Sequence, residues 1–115
     1  MKRQYKETIQ VLKLMLEAAK SDDMDDESNV WRSAMLDAQD EIMDAGTIDD
    51  LREQHIKKQL RSSVGVLAQM LGMAEADGKD EKSQYWKAIM ESAQEICDSF
   101  DAPKYSQSDV ARPRA

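Results

Sequence analysis

Apolar residues recur along this chain at the three- and four-residue steps of amphipathic helices. Tyr5, Ile9, Leu12, Leu16 and Ala19 advance by 4, 3, 4 and 3, and Leu60, Val64, Leu67, Leu71 and Ala74 repeat the same steps. Two further series, Trp31, Met35, Ala38, Ile42, Ala45 and Trp86, Met90, Ala93, Cys97, Phe100, also keep to one helical face. Each series forms a single inward stripe, the pattern of helices that bury one side against each other. The spacing predicts helices over about 2–20, 23–45, 48–76 and 79–100.

The stripes come in matched pairs. Shifted by 55 positions, residues 5–39 align with residues 60–94 and share 12 identities in 35 positions, among them Leu12/Leu67, Met15/Met70, Asp22/Asp77, Ser28/Ser83 and Trp31/Trp86. Chance would supply roughly two or three. The expected fold is therefore all-α, a four-helix bundle made of two duplicated helical hairpins. Repeat one covers about 5–45 and repeat two about 60–100, within one domain over residues 1–100. A unit this long that occurs only twice suits a closed bundle better than a solenoid. Residues 101–115 are polar and hold both prolines, and they read as a flexible tail.

Polar punctuation fits these bounds. Asp22 with Asp25, and Asp77 with Asp80, have the spacing of an N-cap and the third residue of a helix. Gly46 is placed to end the second helix, and Thr47 to cap the third with Asp49 and Asp50 in its first turn. The third helix carries an extra segment, Ile48 to Gln59, ahead of its repeated part.

Charge sharpens the picture. The chain has 115 residues and a net charge of −7. Residues 1–50 hold six basic and thirteen acidic groups, whereas residues 51–115 hold ten of each. One half thus carries the whole excess, which argues against direct nucleic-acid binding and against an anionic membrane as partner. A single cysteine, Cys97, allows no internal disulfide, and no apolar run approaches membrane-span length. A cytoplasmic location is the expectation.

Catalysis needs convergent nucleophiles, bases or metal ligands. The chain has one histidine, His55, and one cysteine, which falls on the Trp86–Phe100 core stripe. No Glu-x-x-His pairs, phosphate-binding glycine loop or EF-hand pattern is present. The expectation is a non-enzyme with no cofactor and no metal site. Helix capping explains Asp22, Asp25, Asp77 and Asp80 without a metal, the alternative being weak cation binding at Asp22–Glu27.

Four features stand out against this background. Asp37, Asp40 and Asp44, beside Glu41, step along one face of the second helix and could meet a basic partner, imitate duplex DNA, or simply be solvated. Gly65, Ala68, Gly72 and Ala76 form a small-residue stripe where copy one has Gln10, Lys13, Glu17 and Ser21, as the close approach of another helix would require. That helix could belong to this chain, a second copy or a partner. Arg52, His55, Lys57, Lys58 and Arg61 make a basic patch that would neutralise the acidic helix nearby or, alternatively, bind phosphate. The paired methionines and tryptophans read as core.

The leading expectation is a small acidic protein-binding module, an inhibitor, adaptor or chaperone-like factor that occludes a partner protein with a basic surface. Its binding residues would be Asp37, Asp40, Glu41 and Asp44, with Gly65, Ala68 and Gly72 on the small stripe. The alternatives are a DNA-mimicking inhibitor of a nucleic-acid-binding host defence protein, of the kind phages or mobile elements encode, and a structural protein that self-associates into a homo-oligomer.

Overall fold

The stripe that begins at Tyr5 lies on a 20-residue helix, α1 (Lys2–Ser21), and every member of it is buried. The computed structural model describes residues 2–100. After α1 come a short turn of helix, α2 (Met24–Glu27), then α3 (Asn29–Asp44) and a 3-10 segment, Ala45–Asp50. The second half follows with α4 (Glu53–Ala76), the short α5 (Lys79–Lys82) and α6 (Gln84–Ser99). No strand occurs among the described residues, and no helix is long and apolar enough to cross a membrane. The tail expected from Asp101 onward lies outside the described residues.

α1 and α4 form the central pair, and each packs against both α3 and α6. The core runs between them. Leu12, Met15, Leu67, Met70 and Leu71 have no measurable exposure. Burying side chains of this size contributes about 1.5–3 kcal/mol apiece. The outer helices contribute Trp31, Met35 and Ala38 from α3, and Trp86, Met90, Ala93 and Cys97 from α6. Their stripes fray at the C-terminal ends: Ile42 and Ala45 are only half-buried and Phe100 is exposed.

The corners depart from the sequence expectation. The second and fourth helices do not start at Asp22 and Asp77. Each is broken by a serine in extended conformation, Ser28 (φ −153°) and Ser83 (φ −150°), whose hydroxyl caps the following helix. Ser28 Oγ accepts from the Val30 and Trp31 amides, and Ser83 Oγ from the Trp86 amide. These are the real N-caps. Just upstream, Asp23 (φ 54°) and Gly78 (φ 66°), also 55 residues apart, take the left-handed conformation and turn the chain. That conformation is natural to glycine and tolerated by aspartate.

Freed from capping, Asp22 and Asp77 reach across the molecule. The Trp31 indole Nε1 donates to Asp77 Oδ2 and the Trp86 Nε1 to Asp22 Oδ2, both at 2.8 Å. The two indoles meet edge to face, with ring centroids 6.0 Å apart and planes at 75°. Each tryptophan thus takes its hydrogen-bond partner from the opposite half, and the two bonds sit 55 residues apart in both donor and acceptor. The rings are 3% exposed, so these bonds satisfy donors with little access to water.

The connection between halves also corrects the expectation. Gly46 and Thr47 lie within the 3-10 segment, where Thr47 Oγ1 donates back to the Asp44 carbonyl. α4 begins only at Glu53, after Arg52, with no side-chain cap.

Candidate functional site

α3 turns Trp31, Met35 and Ala38 inward, so helical geometry sends Leu36, Asp40 and Met43 to the opposite side. Leu36 is 58% and Met43 69% exposed, the two most open large apolar side chains described. Asp37, Asp40 and Asp44 are exposed on and beside the same line. The outer face of α3 is therefore alternately greasy and anionic. The α6 residues 55 positions on are Glu91, Glu95 and Asp98, all exposed, which is an ordinary wet face. The fold is satisfied by carboxylates there and places no demand for leucine and methionine on α3. Leu36 and Met43 thus form a solvent-facing apolar pair flanked by carboxylates.

Glu41 does not join this face. It is half-buried against α4, where its Oε2 accepts from Ser62 Oγ at 2.8 Å and its Oε1 from Ser63 Oγ at 2.7 Å. Ser63 is fully buried, so this carboxylate is committed to holding α3 on α4. Beside it the Tyr5 hydroxyl donates to Gln59 Oε1 at 2.7 Å. Burial, and then the charges of Glu41 and Asp44, push the Tyr5 hydroxyl above the ordinary tyrosine range, against a smaller opposing effect of Ser63. Asp44 and Glu41 also share a shallow cavity of about 290 Å³ with His55, Lys58, Gln59 and Ser62. The basic patch of α4 thus abuts the end of the acidic helix, with Arg52, Lys57 and Arg61 exposed nearby.

The small-residue stripe does not form an exposed surface. Gly65 faces open space, with no atom within 4 Å of where a Cβ would stand. Ala68 and Gly72 are buried in the core of the chain itself. Four residues of α4 that looked like one face are divided because the helix, lying in the centre of the molecule, is covered over most of its circumference.

The carboxylates of Asp23, Asp25 and Asp26 come within 4.8 Å of one another at the start of α2. Asp23 and Asp26 are exposed and Asp25 is half-buried there, in and just ahead of the first turn of α2. On the other side of the corner, Lys79 Nζ lies 2.9 Å from Asp22 Oδ2 and 5.5 Å from the centroid of the Trp86 ring. Hydrogen bonding from Lys79, with help from Trp86 and the lysine charge, holds the Asp22 carboxyl below the ordinary range despite partial burial. At the counterpart position the first half has Met24, so Asp77 has no lysine equivalent to Lys79.

Leu36 and Met43 escape a reading based on charge alone. The signal was present, however: both are apolar, both lie off the core stripe, and they are seven residues apart on the most acidic helix. Comparison with known proteins finds no family model, no curated protein and no solved structure that matches this chain.

Proposed function

We propose that this chain is a non-catalytic protein-binding module that docks through the outer face of α3. Leu36 and Met43 would enter apolar sockets on the partner while Asp37, Asp40 and Asp44 meet a basic rim. The observation that carries this reading is the exposed Leu36–Met43 pair, which the fold does not need, set among exposed carboxylates. The same reading treats the architecture as a four-helix bundle of two duplicated hairpins, supported by the identities at 55-residue spacing and by the paired corners. Divergence after duplication would then have specialised α3 for contact and left α6 merely solvated.

Apolar anchors weigh against imitation of DNA, because a phosphate backbone offers nothing that resembles Leu36 or Met43. They also make the test specific. A partner retained by the intact chain should be lost on Leu36→Ser with Met43→Ser, by tenfold or more in affinity. That follows if each side chain contributes roughly 1.5 kcal/mol on burial. Asp37→Lys with Asp40→Lys should weaken binding and flatten its salt dependence. Glu91→Lys with Glu95→Lys, on α6, should change neither. Equal losses from the α3 and α6 variants, or none from either, would exclude the α3 face. Displacement of the partner's DNA by the serine variant at full strength would restore the mimicry reading.

A further inference from the structure

A cavity lies away from the α3 outer face, on the other side of the same helix. It is a groove of about 750 Å³ between the first half of α1 and the turn where α3 gives way to the 3-10 segment. Its floor is apolar. Ile9 and Ile48 are 6% and 7% exposed at the bottom, with Ile42 and Ala45 half-buried along the wall. Its rim is cationic. Lys2, Lys6 and Lys13 step by four and seven along one edge of α1, and Arg3 stands beside them. Two acids offset part of this charge: Glu7, whose Oε1 accepts from Arg3 Nε at 3.3 Å, and Asp49 beside Lys2 and Lys6, which leaves the rim with a net positive balance. In a chain of net charge −7, a line of lysines over an apolar trough is a local reversal of character.

Two observations say what would occupy it. First, the rim already holds a carboxylate. Asp49 Oδ1 sits between Lys2 and Lys6, at 3.6 and 3.9 Å from their ammonium nitrogens. Asp49 is 77% exposed, so the contact is weak and readily exchanged for a ligand's head group. Second, the floor beside those lysines is apolar, lined by Ile9, Ile42, Ala45 and Ile48, so an apolar trough and a cationic edge lie side by side as an anionic amphiphile requires. The volume itself is in the range that takes a small ligand, about 300–1,000 Å³.

We propose that this groove binds a single-chain amphiphile with an anionic head, its alkyl tail lying along Ile9, Ile42 and Ile48 and its head group held by the lysines of α1. The site shares no residue with the α3 outer face, so it stands or falls separately from partner binding there.

The test uses the whole 115-residue chain and sodium decanoate below its micellar concentration, followed by amide chemical shifts in ¹⁵N NMR. Decanol and decyltrimethylammonium serve as neutral and cationic controls of equal chain length. Decanoate should produce saturating shifts centred on residues 6–13 and 42–48. It should bind at least tenfold more tightly than decyltrimethylammonium, with decanol between them. Lys6→Glu with Lys13→Glu, both at exposed positions, should weaken decanoate at least fivefold and leave the far-UV circular dichroism unchanged. Ala45→Trp, which fills the groove, should weaken all three ligands. The proposal is overturned if the cationic amphiphile binds as well as decanoate, or if the lysine variant binds decanoate normally. Shifts that never saturate, or an acidic helical peptide that occupies residues 6–13 and 42–48 where decanoate does not, would overturn it equally.

Discussion

Replacing Asp77 by alanine isolates the contribution of one cross-molecule bond. In the folded chain the Trp31 Nε1 donates to this carboxylate at 2.8 Å from a ring that is 3% exposed. Removing the acceptor leaves that donor shielded from water and without its partner, which costs about 1–3 kcal/mol. Asp77→Asn keeps an acceptor in place and should lose less, about 1 kcal/mol. Asp22→Ala strands the Trp86 donor in the same way and also removes the partner of Lys79. That lysine is 13% exposed and lies 2.9 Å away, but Asp22 itself is 37% exposed, so solvent limits the further loss to about 1 kcal/mol. The expected order of destabilisation is therefore Asp22→Ala, Asp77→Ala, Asp77→Asn. Urea unfolding monitored by tryptophan fluorescence measures each. A double-mutant cycle of Trp31→Phe with Asp77→Ala should return a coupling of about 1–2 kcal/mol. A coupling near zero, or an Asp77→Ala variant within about 0.5 kcal/mol of the parent, would refute the assignment of these bonds as ties between the halves.

Other outcomes follow from the same geometry. Because the Asp22 carboxyl ionises below its unfolded value, its contribution is complete above the ordinary carboxylate range and is lost as pH falls through the depressed folded value. Lys79→Met, which copies the residue at position 24, should raise the Asp22 pKa and move the acid-side loss of stability to higher pH, as read from a ¹³C carboxyl titration. Gly65→Ala should stabilise by about 0.5–1 kcal/mol, since the position is helical and opens onto empty space. Gly78→Ala should destabilise by about 1 kcal/mol, because its φ of +66° lies in the left-handed region, which costs alanine energy and glycine almost none. Urea midpoints that moved the same way in both glycine variants would contradict this account.

The hydrophobic series were readable because helical spacing is a local property. Every residue from Tyr5 to Ala19 and from Leu60 to Ala74 on the two stripes is buried, as their steps of four and three imply. What could not be read was long-range. Asp22 and Asp77 have the local look of caps, and nothing near them in sequence announces an indole 64 or 46 residues away. Ser28 and Ser83 were visible as identities, yet the capping role fell to them only because Asp23 and Gly78 bend the chain first. The same limit applies to Glu41, which sits among exposed acids on α3 but finds two serine hydroxyls on α4. Ala68 and Gly72 seemed to form a separate face because the helical pattern does not reveal that α4 is covered by three neighbours. Leu36, Met43 and the line of lysines on α1 were, by contrast, legible from spacing, and were masked by the stronger signal of net charge.

Pairing each indole with a carboxylate from the other half has a consequence for how the molecule comes apart. Peeling either half away would strand a donor on one side and an acceptor on the other, twice over, so no seam between residues 1–50 and 51–100 opens at low cost. Exchange of the most protected amides near Leu12 and Leu67 should then proceed through one shared opening, with a single free energy for both.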